Sequence, residues 1–163
     1  MKKFLLAMVC FAFITTQAAS EVLPSVTIEN LNGEKVDISS FGKNGKITII
    51  SFWATWCKPC QKELNNISEV YEDWQEDYNV ELVAVSIDDA RNAAKVKSFT
   101  AGSGWDYTVL LDKNQDLKRA LNFATVPFTL IIDQNGNIVD KHVGYQDGDE
   151  EEVEAKLKKL SNK

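Results

Sequence analysis

The stretch Phe52-Trp53-Ala54-Thr55-Trp56-Cys57-Lys58-Pro59-Cys60 lies where the sequence pattern changes from strand-like to helix-like. Ahead of it, Ile47–Trp53 is β-branched and aromatic, which predicts a central β-strand. After it, apolar side chains recur in steps of four and three, which predicts a long helix over Lys58–Tyr78 with one buried face. The two cysteines therefore lie where a strand ends and a helix begins.

That position favours a reactive cysteine. The first turn of a helix offers unpaired backbone N–H groups and the positive end of the helix dipole, and both stabilise a thiolate. Lys58 adds a positive charge, and Pro59 suits an early helical position because no N–H is needed there. Such surroundings lower the pKa of a cysteine from about 8.5 to about 3.5–7.5. The spacing of Cys57 and Cys60 lets their sulfurs meet across one helical turn, which predicts a pair that cycles between dithiol and disulfide.

Other uses of two closely spaced cysteines are weaker interpretations. A zinc site needs two more ligands, and beyond residue 20 the chain offers only His142 and carboxylates. A c-type haem needs histidine directly after the second cysteine, where this chain has Gln61. A purely structural disulfide is the main alternative, although so small a loop yields little chain-entropy stabilisation. We therefore expect no metal and no organic cofactor, with the electrons carried by the cysteine pair.

Strand and helix patterns alternate along the rest of the chain. Asn32-Gly33 and Gln134-Asn135-Gly136-Asn137 are turn signals between strands. The run 80–87 is nearly continuously apolar, as in a parallel strand covered on both faces. The predicted fold is α/β, a three-layer sandwich with a central mixed sheet flanked by helices and an N-terminal β-hairpin. Besides those above, the predicted strands are 25–29, 35–38, 80–87, 107–111, 128–133 and 138–145, and the predicted helices 90–101, 115–122 and 149–160.

Residues 1–20 have the layout of a secretory signal peptide. Lys2 and Lys3 precede an apolar run of 11 residues, which is too short to span a membrane, and small polar residues follow. We expect cleavage after Ala18 or Ser20, leaving one domain over 21–163. Cleavage also removes Cys10, so Cys57 and Cys60 become the only cysteines, in a periplasmic or other extracytoplasmic location that permits disulfides. The net charge, −6 for the whole chain, argues against nucleic-acid binding.

The motif at 52–60 resembles the active site of thioredoxin-fold proteins, above all the exported TlpA/ResA/CcmG-like thiol–disulfide oxidoreductases. The resemblance extends over nearly the whole chain after the signal peptide, and it implies one thioredoxin-like domain over 21–163. It implies that Thr125-Val126-Pro127 holds a cis proline that faces the disulfide and shapes the surface where partner chains dock. The same substrate-binding surface includes Trp56, Lys58 and Pro59. Trp53 either borders this surface or belongs to the core.

The resemblance also gives Glu63 a role. Ordinary thioredoxins carry a buried aspartate six residues before the first active-site cysteine, where this chain has Ser51. Glu63 matches an acidic residue that ResA-like proteins use near the active site. It would raise a thiol pKa or accept a proton as Cys60 becomes the attacking group, unless it is a solvent-facing helix residue. His142 is expected to be a plain surface residue, and the acidic run 147–152 a helix N-terminus.

The predicted activity is thiol–disulfide exchange. Cys57 attacks a partner disulfide as a thiolate, and Cys60 then attacks Cys57 to release the reduced partner. The resemblance implies a monomeric reductant of exported disulfide-bearing proteins, apocytochromes c among them, that a membrane electron donor re-reduces. A disulfide oxidase, a copper-binding thiol module and a thiol peroxidase are the alternatives. The Pro-x-x-x-Thr-x-x-Cys setting of peroxiredoxin-like peroxidases is absent.

Overall fold

The computed structural model describes residues 20–161. All of the predicted signal peptide except Ser20 thus lies outside the described residues. Among the helices of residues 20–161, none has both the length and the apolar character required to cross a membrane. The strands are β1 Thr27–Asn30, β2 Lys35–Asp37, β3 Ile47–Trp53, β4 Val80–Ser86, β5 Thr108–Leu111, β6 Phe128–Ile132 and β7 Ile138–Val143; the α-helices are α1 Lys58–Tyr78, α2 Ala93–Ser103, α3 Asp116–Ala120 and α4 Asp149–Ser161; a 3-10 helix covers Ile38–Lys43.

The strands form one mixed sheet in the order β2-β1-β5-β4-β3-β6-β7. Strands β3, β4 and β5 run parallel, whereas β6, β7, β1 and β2 join antiparallel. All seven residues of β3 are buried, as expected of a strand with neighbours on both sides and helices on both faces. The predicted mixed sheet and N-terminal hairpin are confirmed.

Side chains of β3 alternate between the two faces of the sheet. Ser51 and Trp53 point towards α1 and α2, since Ser51 bonds Glu63 of α1 and the Trp53 ring lies 5.4 Å from that of Phe99. Helix α4 packs on the same side, against α1 and β3. Phe52 points to the opposite face, 4.6 Å from the ring of Phe123 after α3. The sheet is therefore the middle layer of three, as predicted.

Two predicted boundaries differ because side chains cap the backbone. Strand β2 ends at Asp37, whose carboxylate accepts the N–H of Ser39 and starts the 3-10 helix that the sequence analysis missed. Helix α2 begins at Ala93 rather than residue 90, because the Asp89 side chain holds the backbone N–H groups of Arg91 and Asn92 in a turn.

The third helix is also shorter than predicted. Gln115 adopts a left-handed conformation with φ of 57° before it, and Asn122 does the same with φ of 52° after it. Within these limits the buried Asp112 carboxylate accepts the N–H groups of Leu117 and Lys118. Helix α3 therefore has five residues instead of the predicted eight.

The topology brings three distant segments to one end of the sheet. The last residues of β3 and β4 are paired, Trp53 with Ser86, and both strands end there. Strand β6 runs the other way, and its first residue, Phe128, pairs with Phe52. The loops after β3, after β4 and before β6 consequently meet at the same end, which is where the cysteine motif lies.

Candidate active site

Cys57 and Cys60 form a disulfide at the N-terminus of α1, with their Cα atoms 5.3 Å apart. Cys57 is the N-cap residue, with extended backbone angles, and its Sγ accepts the Cys60 N–H at 3.3 Å. Pro59 lies in the first turn, where its missing N–H costs no hydrogen bond. The Cys57 sulfur thus lies where the backbone N–H groups and the helix dipole stabilise negative charge.

The two sulfurs differ in their access to solvent. Cys60 is completely buried, whereas Cys57 keeps 5% of its surface exposed. Trp56, directly before it, is 65% exposed, and Lys58 and Pro59 are exposed beyond it. Trp53 is fully buried against Phe99 and Trp105, so it belongs to the core and not to a docking surface.

A buried carboxylate that the sequence analysis missed holds the loop before the cysteines. Asp88 follows β4 and is 3% exposed. It accepts the Thr55 N–H at 2.8 Å, the Thr55 hydroxyl at 2.7 Å and the Ser86 hydroxyl at 2.8 Å. The Thr55 carbonyl in turn accepts Gln61 Nε2 at 2.7 Å, and Gln61 Oε1 accepts Lys58 Nζ. The sequence did contain one signal for Asp88, because it is an acidic residue directly after the apolar run 80–87, which predicted a strand covered on both faces.

Glu63 lies inside the protein, 5% exposed, on the face of α1 that covers the sheet. The Ser51 hydroxyl donates to its Oε2 at 3.0 Å and the Thr129 hydroxyl to its Oε1 at 2.7 Å. Burial raises the pKa of this carboxyl, and the two hydroxyl hydrogen bonds oppose that effect only in part. The solvent-facing alternative is therefore wrong. Glu63 bonds the serine at the position where thioredoxins carry their buried aspartate.

The Val126–Pro127 peptide bond is cis, as the resemblance implies. Pro127 is buried directly before β6, and its carbonyl accepts the Gly144 N–H at 2.9 Å. Thr125 is exposed and Val126 half-buried. Since β6 starts beside the end of β3, this segment lies at the same end of the sheet as Cys57.

His142 is not the plain surface residue that we expected. Its side chain is 37% exposed and its Nε2 lies 3.2 Å from Asp149 Oδ2, at the start of α4. It also lines a small cavity that reaches Glu63. Acidic residues fill the first turn of α4, as predicted for a helix N-terminus. Residues 20–161 contain no group of three or more His, Cys, Asp or Glu side chains arranged to hold a metal ion.

Comparisons with known proteins agree with this geometry. Residues 19–141 match the AhpC/TSA family. The thiol–disulfide oxidoreductase ResA of Bacillus thuringiensis (strain Al Hakam) is 32% identical over 138 residues, which cover 85% of this chain and 76% of ResA. A thioredoxin-like protein of Porphyromonas gingivalis, solved in solution, is 48% identical with a TM-score of 0.77, covering 86% of this chain and 92% of that one.

A third comparison links the fold to the chemistry. The thioredoxin domain of a thiol–disulfide oxidoreductase from Bacteroides vulgatus is 25% identical, with a TM-score of 0.66, and the match covers 87% of this chain and 99% of that one. The Cys57–Cys60 disulfide at the start of α1 supplies the reactive pair that such an activity requires. The chain therefore belongs to the AhpC/TSA family, as a thiol–disulfide oxidoreductase of the TlpA/ResA/CcmG-like type with a thioredoxin fold.

Proposed function

We propose that this oxidoreductase is exported and reduces disulfide bonds in specific exported proteins. The observation that carries the proposal is the disulfide at the N-cap of α1, whose Cys57 sulfur accepts a backbone N–H and keeps some exposure while Cys60 has none. The signal-like residues 1–20 support export. A compartment outside the cytosol also permits the disulfide to form.

In the reductive direction the cycle starts from the Cys57 thiolate and the Cys60 thiol. Cys57 attacks one sulfur of the partner disulfide, so that a mixed disulfide forms and one partner thiolate leaves. Cys60 then attacks the Cys57 sulfur, which closes the internal disulfide and releases the second partner thiolate. Two electrons pass to the partner. The proton that leaves Cys60 goes to the Glu63 carboxylate, one helical turn away on the buried face of α1.

The docking surface in this proposal lies around Cys57 at the end of the sheet. Trp56, Lys58 and Pro59 supply its exposed side chains. The segment Thr125-Val126-Pro127 flanks it from the start of β6. An extended partner chain that carries a disulfide would lie between these two segments and present one of its sulfurs to Cys57.

The partners we propose are exported proteins with a disulfide, apocytochromes c among them. After each turnover the enzyme carries its own disulfide, so a membrane electron donor must reduce it again. The enzyme acts as a monomer, and the cysteine pair carries the electrons without a metal or an organic cofactor.

Substrate trapping tests this function. The Cys60→Ser variant cannot resolve the mixed disulfide, so exported partners should stay covalently bound to Cys57 after acid quenching and non-reducing electrophoresis. The matched control, Cys57→Ser, should trap none. Equal trapping by both variants, or adducts that a reductant does not cleave, would contradict the assigned roles.

A further inference from the structure

A row of polar side chains crosses the sheet beneath α1 and α4. In the antiparallel register, Thr129 of β6 pairs with Ser51 of β3 on one side and with His142 of β7 on the other. Directly paired residues point to the same face of a sheet and have Cβ atoms about 4.5–5.5 Å apart. The three side chains therefore form a continuous line from the centre of the sheet to its edge strand.

Charged groups from the helices cap both ends of this row. At the inner end, Glu63 accepts the hydroxyls of Ser51 and Thr129. At the outer end, Asp149 lies 3.2 Å from His142 Nε2. Ser51, Thr129 and Glu63 are buried, and burial of polar groups is unfavourable without hydrogen bonds. All three have them, and His142 and Asp149, which are partly exposed, contact each other.

A cavity of about 20 Å³ connects the two ends, and Glu63, Thr129, His142 and Asp149 all line it. That volume admits one water molecule, which needs about 10–15 Å³ and at least two polar partners. Four of the other charged or titratable groups that face the cavity are paired with each other: Asp140 with Lys156 at 2.8 Å and Tyr145 with Glu150 at 2.9 Å. Glu152 also lines it.

The chemistry needs such a connection. Cys60 has no exposed surface and Glu63 has only 5%, so a proton taken from Cys60 leaves Glu63 mainly by way of the cavity. His142 is 37% exposed at its side chain and still reaches the cavity. An imidazole can accept a proton at one ring nitrogen and release one from the other, which suits it to pass protons between a cavity and solvent.

We propose that His142 relays protons between Glu63 and solvent, through the cavity, each time Cys60 is deprotonated or reprotonated. This inference rests on the proposed function, since it concerns the proton released in the resolving step. When Cys60 attacks Cys57, the Cys60 proton passes to Glu63, from there to the neutral imidazole, and from the imidazolium to water. Glu63 is then ionised again for the next cycle, and Asp149 holds the ring in place.

The test separates the two chemical steps with 5,5′-dithiobis(2-nitrobenzoic acid) as the disulfide. With reduced enzyme in excess, attack by Cys57 releases one coloured thiolate and attack by Cys60 releases the second. In dilute buffer, His142→Gln should leave the first phase unchanged and slow the second at least about tenfold, since a positioned proton-transfer group contributes about 10²- to 10⁴-fold. Added imidazole should restore the second phase.

Lys141→Gln is the matched control, because Lys141 neighbours His142 on β7 but is exposed and pairs with Glu21 at the surface. It should leave both phases unchanged. An unchanged second phase in His142→Gln, or a slow one that imidazole does not restore, overturns the relay while leaving the oxidoreductase function intact. If Cys57→Ser releases as much thiolate as the wild type, the proposed function itself fails.

Discussion

Replacing Asp88 by alanine tests whether a buried carboxylate holds the active-site loop. The change leaves three donors without their acceptor: the Thr55 N–H, the Thr55 hydroxyl and the Ser86 hydroxyl. A buried donor left unsatisfied costs about 1–3 kcal/mol. Ser86 is fully buried, whereas Thr55 is half-buried and water replaces part of its loss. After the relieved desolvation of the carboxylate is subtracted, we expect Asp88→Ala to lower the free energy of unfolding by about 2–4 kcal/mol.

Asp88→Asn is the matched variant. Its amide oxygen can accept the Thr55 N–H and the Ser86 hydroxyl, and its NH₂ group can donate to the Thr55 hydroxyl oxygen. All three contacts survive in neutral form, so the expected loss is about 1 kcal/mol. Urea denaturation of the oxidised proteins measures both. With a slope of about 2 kcal/mol/M, the alanine variant should unfold about 1–2 M earlier than the wild type, at unchanged slope.

The same variants report on catalysis, because Thr55 lies in the turn before Cys57. In this turn the Cys57 N–H donates to the Ala54 carbonyl at 3.0 Å. Asp88→Ala should slow the attack of Cys57 on an aromatic disulfide, and Asp88→Asn should slow it less. A loss below about 1 kcal/mol for alanine, or equal losses for both variants, would refute the view that this carboxylate positions the loop.

Three further outcomes are expected. Burial raises the pKa of Glu63 in the folded protein, so its protonated form stabilises the fold at pH values below 4.5, the pKa in the unfolded chain, and this stabilisation is lost as the pH rises through the folded pKa. Glu63→Gln should therefore flatten that part of the curve of unfolding free energy against pH, and identical curves for the variant and the wild type would contradict this role of Glu63. Thermal unfolding should show that Gly136→Ala destabilises the protein far more than Gly33→Ala. An alanine at positive φ costs about 1–2 kcal/mol at either position, but only the Cβ at position 136 would lie 2.5 Å from the Gly42 carbonyl oxygen; equal losses would exclude that contact as the reason. The reduced enzyme should not consume hydrogen peroxide rapidly and saturably without a thiol partner, and such consumption in a peroxide assay would indicate a peroxidase instead.

The central strands, the long helix and the cysteine pair were predictable because each has a strong local signal. The apolar run of β3 and the spacing of the cysteines at the start of α1 can each be recognised from residues that are neighbours in the sequence. The 3-10 helix was missed although its cap, Asp37, is local, because its six residues are too few to show a helical periodicity. Asp88 was missed for a different reason: its partner Thr55 is 33 residues away in the chain, in the loop after the neighbouring strand β3.

His142 shows why a register cannot always be counted from a turn. Near the hairpin, Ile132 pairs with Ile138, and continuing that register would place Lys141 beside Thr129 and turn His142 to the opposite face. An irregularity between Ile131 and Ile132 shifts the pairing by one residue, so that His142 joins Thr129 instead. The sequence does not mark this bulge, and His142 was predicted as a surface residue because it lies in an edge strand.

The hydrogen bond between Thr129 and Glu63 joins residues 66 positions apart in the chain. Polypeptides are synthesised from the N-terminus, so the cysteine motif emerges long before β6, which supplies both this hydroxyl and the cis-proline segment. Closing so long a loop is a late event in folding. Until then, the edge of β3 that β6 covers has no partner strand, and Glu63 has the Ser51 hydroxyl but not the Thr129 hydroxyl as a donor.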